Sequence, residues 1–118
     1  MLFLISWSIP SENRVACWNV FGNMTPADDL KDAGEHIKIV GRWHHLSGDG
    51  GVCICETDNV SALNSFMLNW SPICDIKVSP MVDDAMARAN IQTKPYFMAK
   101  SAAGEESGGD GATKSDSA

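Results

Sequence analysis

The chain has 118 residues, 44% of them apolar and 20% charged, and its 9 basic and 15 acidic side chains leave a formal net charge of −6. A chain this short holds one core with a thin stability margin, so an oligomer interface would be a natural supplement. The acidic balance argues against a sequence-independent nucleic-acid binder, which needs basic surface against phosphates, and equally against docking on anionic membrane.

Residues 2–9 are rich in β-branched and aromatic side chains and stop at Pro10, which predicts a first strand. This opening run is too short for a membrane span and lacks the basic flank and cleavage site of a signal peptide. A cytoplasmic protein is therefore expected, with Cys17, Cys53, Cys55 and Cys74 as reduced thiols. Ser11 is the expected N-cap of a helix in which Val15, Trp18 and Phe21 recur at helical spacing as far as Gly22. Residues 24–35 carry Thr-Pro, Asp-Asp and Ala-Gly pairs and read as a loop with room for one short helical turn at residues 28–33. Residues 37–46 and 51–57 form the second and third strands, joined by Ser47-Gly48-Asp49-Gly50. Asp49-Gly50 between apolar runs is a hairpin signal, because a type I′ turn needs positive φ at both central positions.

Asp58 then caps a helix whose Leu63, Phe66, Met67 and Trp70 form one apolar stripe, ended by Pro72. Residues 73–79 read as the fourth strand, stopped by Pro80, and residues 81–90 as an amphipathic helix with Asp83 and Asp84 near its positive end. Residues 91–98 fit no single element. Residues 99–118 have two lysines, four acids and no Leu, Ile, Val or aromatic side chain, so they cannot bury enough apolar surface to order themselves. A disordered tail is expected there, as a solubilising tether or a partner-binding segment. The domains are thus a folded unit over residues 1–92, an extension over 93–98 and the tail over 99–118. The order β-α-β-β-α-β plus a C-terminal helix gives the fold class: ferredoxin-like α+β, a four-stranded antiparallel sheet with helices on one face.

Side chains alternate along a strand, so each strand divides into two sets. With Ile37, Ile39, Trp43, Val52, Ile54 and Glu56 assigned to the helices, the helix-free face receives Ser6, Ser8, Lys38, Arg42, His44, Cys53, Cys55, Thr57, Asp75 and Lys77. Leu2, Leu4 and Val40 are mixed among them. A solvated face needs no Leu, Cys or Val, and their presence suggests partial burial. Two such sheets stacked in a homodimer would enclose a polar-lined cavity, the default place for a small organic ligand.

Gly41-Arg42-Trp43-His44, followed by a Gly-rich hairpin and the Cys55-Glu56-Thr57-Asp58 segment, resembles the short bacterial proteins of domain of unknown function family 3303. Trp7 with Ile9-Pro10, Asn69-Trp70, and Val78-Ser79-Pro80-Met81-Val82-Asp83-Asp84 fit the same family, over roughly residues 1–90. The resemblance implies a dimeric α/β barrel of the ferredoxin-like type and no activity. Monooxygenases and isomerases on related folds are analogies of fold alone.

The ligand-binding candidates are Arg42, His44, Cys53, Cys55, Asp75, Lys77, Ser6 and Ser8. Arg42 is suited to a ligand carboxylate or phosphate, with His44 as acid or base; the competing reading is a salt bridge to Asp75 or to a partner subunit. His44, Cys53 and Cys55 have the softness for a transition metal, but no fourth ligand accompanies them, so neither metal nor cofactor is expected. Neither a nucleophilic triad nor a phosphate loop is present, and Trp18 and Trp70 read as core. The functional readings are a dimeric ligand-binding module, a cofactor-independent enzyme using Arg42 and His44, and a structural dimer without a site.

Overall fold

The computed structural model describes residues 1–100, so the expectation of a disordered tail, from residue 101 onward, lies outside the described residues. The chain forms one unit over Met1–Asp83 and a second that begins at Asp84. In the first unit, β1 (Leu2–Ser8) lies between β3 (Gly50–Glu56) and β4 (Asp75–Met81), and β2 (Lys38–His44) pairs with the outer side of β3. All three pairings are antiparallel, giving the order β2-β3-β1-β4. The fold is therefore the expected ferredoxin-like α+β arrangement, and its sheet is open. Among the described residues, no helix is long and apolar enough to cross a membrane.

Phe3 and Ile5 of β1 pair with Cys55 and Cys53 of β3, and these four side chains are buried against Leu63 and Phe66 of α3 (Val60–Leu68) and Ala33 of α2 (Pro26–Ala33). Each large apolar side chain fully buried there contributes about 1.5–3 kcal/mol. A second cluster joins Ile9, Cys74 and Cys17 of α1 (Arg14–Gly22).

Several boundaries differ from the sequence reading. Ser11 caps nothing; it opens a 3-10 turn, Ser11–Asn13, after which Arg14 Nε donates to the Ile9 carbonyl at 3.0 Å and Asn13 Nδ2 to the Ile73 carbonyl at 3.3 Å. Tertiary bonds, not a side-chain cap, hold the start of α1. The expected loop over residues 24–35 is largely the helix α2, opened by a capping box in which Thr25 Oγ1 accepts from Asp28 N and Asp28 Oδ2 accepts from Thr25 N. Pro26 at the first helical position reinforces that start. The cap of α3 is Asn59, whose Oδ1 accepts from Ala62 N, whereas Asp58 pairs with the N-terminal amine. Pro80 does not stop β4: it pairs with Phe3 inside the strand, which is an edge, where a residue without N–H is tolerated.

The hairpin is also displaced. His44 pairs with Gly51, so the turn starts earlier than Asp49-Gly50, and the residue with positive φ in it is Gly48, at 78°. Farther along β2 the register steps between Ile39 and Gly41, with Val40 the extra residue of a bulge. That bulge puts Ile39, Arg42 and His44 on one face, opposite Cys55, Cys53 and Gly51 respectively. In the second unit, α4 (Asp84–Gln92) carries Asp84 in its first turn and gives way to hydrogen-bonded turns at Thr93 and Lys94.

Candidate functional site

Strand register decides where each candidate side chain lies. Arg42, His44, Cys53 and Cys55 share the face of Phe3, Ile5 and Trp7, the face that carries the helices. The expectation that they line the helix-free face is therefore corrected, because the apolar Ile39 was a misleading anchor for Trp43 across an unseen bulge. Trp43, Val52, Ile54 and Glu56 lie on the open face instead, with Glu56 beside Lys38 at 4.0 Å. Ser6, Ser8, Lys77 and Asp75 do lie there: Ser6 pairs with Lys77 and Ser8 with Asp75, and together they line a shallow depression at the sheet edge. Thr57 is buried, with its hydroxyl donating to the His36 carbonyl at 2.7 Å and accepting from Asn59 N at 3.0 Å.

Between the helix-bearing face and the helices is a cavity of about 290 Å³. Ile5, Trp7, Cys53 and Ile76 form its floor; Cys17, Trp18, Phe21 and Gly22 of α1 form one wall, and Phe66, Met67 and Trp70 another. Two glycines matter to its shape. A Cβ on Gly51 would run into the Trp43 carbonyl and meet the Trp7 ring at 2.8 Å, so only glycine leaves room for that indole on the floor. On the opposite face Gly41 does the same for Trp43, whose ring occupies the space a Cβ would need. This accounts physically for the Gly-Arg-Trp-His run: glycine admits the indole outside, and alternation sends Arg42 and His44 inward.

Arg42 and His44 are the ionisable rim of the cavity. The Arg42 guanidinium lies 4.9 Å from the centre of the Phe21 ring and donates through Nη2 to Asp29 Oδ1 at 3.1 Å. Its salt bridge is therefore real, but the partner is Asp29 of α2, not Asp75. The His44 ring meets Trp7 edge-on at 5.5 Å and Phe21 at 4.9 Å, and neither of its nitrogens has a hydrogen-bond partner among the described residues. Burial, and then the Arg42 charge, hold His44 below its ordinary value, so the imidazole is neutral near pH 7.

Burial holds the Cys53, Cys55 and Cys74 thiols protonated. Burial pushes Cys55 up to about 11, with Cys53 adding to the effect, and Cys55 sits wholly inside the core rather than at the cavity. Burial raises Cys53 as well, partly offset by Arg42. Burial and the neighbouring Cys17 push Cys74 up to about 12. Among the described residues, no three His, Cys, Asp or Glu side chains are placed to hold a metal ion.

Helix α2 braces the cavity from outside: besides Asp29, it supplies Asp32, whose Oδ2 accepts from Trp70 Nε1 at 2.7 Å and whose Oδ1 accepts from Asn69 Nδ2 at 2.9 Å. On the other side Trp18 Nε1 donates to the Gly48 carbonyl at 2.9 Å, tying α1 to the hairpin. The sequence reading missed Trp7, Phe21 and Trp70 as cavity residues and Asp29 and Asp32 as the outer partners of Arg42 and Trp70. The signal for α2 was present in Thr25-Pro26 with Asp28 three residues after the cap.

The family described as domain of unknown function (DUF3303) matches over residues 1–95. No curated protein matches the chain.

Proposed function

The chain belongs to the DUF3303 family of domains of unknown function, and from that premise we propose that it is a binding module taking a compact, largely apolar organic ligand into the cavity between sheet and helices. The observation that supports this reading is the cavity itself: about 290 Å³ walled by aromatic and aliphatic side chains, with Arg42 and His44 at its rim. Protein interiors close-pack with few voids, and an apolar pocket with a few convergent polar groups is where ligands bind. Because Asp29 already balances Arg42 and His44 is neutral, the rim favours a neutral ligand with one hydrogen-bonding group over a carboxylate or phosphate.

The same cavity supports a second reading, a cofactor-independent enzyme in which His44 takes a proton from bound substrate. What favours it is a neutral imidazole at the cavity with no hydrogen-bond partner among the described residues. Under either reading the protein is a homodimer in the bacterial cytoplasm, with the open faces of two copies stacked. The open face presents Trp43, 56% exposed, beside half-buried Leu4, Val52 and Ile54, which is apolar surface a second copy would cover. Ser6, Ser8, Asp75 and Lys77 then belong to the dimer interface rather than to the ligand.

The test is a titration of the full chain with the neutral probe N-phenyl-1-naphthylamine, followed through the tryptophan emission, since Trp7, Trp18 and Trp70 line the cavity. Saturable quenching is expected, and Gly22→Leu should abolish it. Gly22 lines the cavity at the end of α1, and a Cβ there meets no atom within 4 Å, so a side chain can be added at the cavity wall without a clash. Equal probe affinity in Gly22→Leu, or no saturable binding by the parent protein, would sink the proposal. Light scattering on the same samples reads the dimer. His44→Gln separates the two readings once a substrate is in hand: binding survives in a module, whereas turnover collapses in an enzyme.

A further inference from the structure

Two of the buried thiols are neighbours in space although 57 residues apart in sequence: Cys17 Sγ and Cys74 Sγ lie 4.0 Å from each other. Both are buried, both line the cavity, and with Ile9 they form the small apolar cluster beneath α1. Cys17 belongs to α1, whereas Cys74 stands just before β4 in the turn that leaves α3, its N–H bonded to the Trp70 carbonyl at 2.9 Å. Cys53 and Cys55 are held in the β3 ladder and belong to the other buried cluster, with Phe3, Ile5 and Phe66.

We infer that Cys17 and Cys74 are a dithiol that closes to an intramolecular disulfide when a peroxide enters the cavity, tying α1 to the α3–β4 turn and coupling the cavity to redox state. Disulfide sulfurs lie about 2.05 Å apart, so the pair must close by about 2 Å. The cavity beside both thiols gives the side chains room to turn, and Cys74 lies outside the strand ladder.

The chemistry balances with a peroxide as the only co-reactant. One sulfur, as thiolate, attacks a peroxide oxygen; the S–O bond forms, the O–O bond breaks, and the departing oxygen leaves as water after taking a proton. The second sulfur, as thiolate, then attacks the sulfenic sulfur; the S–S bond forms, the S–O bond breaks, and a second water leaves. Two thiols lose two electrons, and one hydrogen peroxide becomes two waters. The protonated state in which burial holds Cys74 makes closure slow and oxidant-driven.

Coupling to ligand rests on the cavity being a binding site, whereas disulfide formation does not. The experiment keeps these apart. The reduced full chain is treated with hydrogen peroxide, quenched by alkylation under denaturing conditions, and mapped by peptide mass. The expected product has lost two hydrogens, carries a Cys17–Cys74 cross-link, and has Cys53 and Cys55 alkylated. Absence of that cross-link under native conditions, or scrambled pairing with Cys53 and Cys55, overturns the dithiol. Oxidation is then repeated with N-phenyl-1-naphthylamine at about ten times its Kd, where the unliganded fraction, and with it the rate of closure, should fall about tenfold. An unchanged rate at confirmed saturation overturns the coupling while leaving the disulfide established. Failure of the probe to bind counts against the binding reading and not against the dithiol.

Discussion

Replacing Asp29 by Asn changes one charge at the cavity rim and leaves nearly the same shape. In the native protein the Arg42 guanidinium donates to the Asp29 carboxylate at 3.1 Å, with the two side chains 19% and 32% exposed. Hydrogen bonds to charged groups contribute about 1.5–3 kcal/mol when sheltered, and exposed ion pairs about 0–1 kcal/mol. With both partners between those limits, Asp29→Asn should lower unfolding stability by about 1–2 kcal/mol in urea titrations. The same change leaves Arg42 uncompensated beside the cavity. A matched probe pair reads this out: N-phenyl-1-naphthylamine is neutral, and 8-anilino-1-naphthalenesulfonate carries the same aromatic body with an anion. One new charge-assisted contact of about 1.4 kcal/mol corresponds to a tenfold gain, so the ratio of anionic to neutral affinity should rise about tenfold in the variant. That gain should fade with added salt, because the rim is partly solvated. If stability and the affinity ratio both stay at parental values, Asp29 does not set the charge of the site and the preference for a neutral ligand is wrong.

Other substitutions probe the supports of the site. Thr25→Ala removes the hydroxyl that caps α2 and should cost about 1 kcal/mol in the same urea titration; no loss would mean that α2 is held by packing alone. His44→Gln should flatten the acid limb of thermal stability. The folded protein holds His44 below its ordinary 6.5, so the unfolded chain binds this proton first. The stability that His44 contributes is complete above pH 6.5 and is lost as the pH falls from there towards the lower folded value. Parallel melting curves for the two proteins between those limits would discard the assignment. Gly51→Ala should destabilise by about 1–3 kcal/mol, because its Cβ meets the Trp43 carbonyl as well as the Trp7 ring, which cannot both yield. Gly41→Ala should cost less than Gly51→Ala and blue- or red-shift the tryptophan emission, since only the outer end of the exposed Trp43 ring must swing away.

The element order was legible because its punctuation is local: Pro10 after an apolar run, glycines in the hairpin, and the Leu63–Phe66–Met67–Trp70 stripe of a single helix face. Alternation in β1 and β4 was also read correctly, with Ser6, Ser8, Asp75 and Lys77 on the helix-free face, opposite Phe3, Ile5 and Ile76, which pack inward. What failed was the carry-over of one strand's phase to the next. Ile39 looks inward and Trp43 looks outward, although they are four residues apart, because Val40 is an added residue in the ladder. Period-two reasoning has no place for such a residue, and the neighbouring Gly41 was the local hint of irregular strand geometry. The size of Trp43 compounded the error, since a large aromatic was assigned to the core while the smaller Cys53 and Cys55 in fact fill it. The cavity was illegible for a related reason: its walls come from both α1 and α3, and its outer braces, Asp29 and Asp32, from a helix hidden in a stretch that scans as a polar loop.

The β2 bulge makes that strand a carrier of two phases. Before Val40 it delivers Ile39 to the packed core; after it, Arg42 and His44 reach the cavity from the same side of the sheet. Loss of Val40 would leave a flat strand with the same side chains turned inward, because Ile39 and Gly41 already pair with the consecutive residues Cys55 and Ile54. Gain of a residue beyond Gly41, if the strand absorbed it without a second bulge, would turn Arg42 outward and bring a neighbour of opposite phase into its place. The position therefore tolerates shortening and resists lengthening, an asymmetry in permitted length change that comes from the ladder rather than from the chemistry of valine.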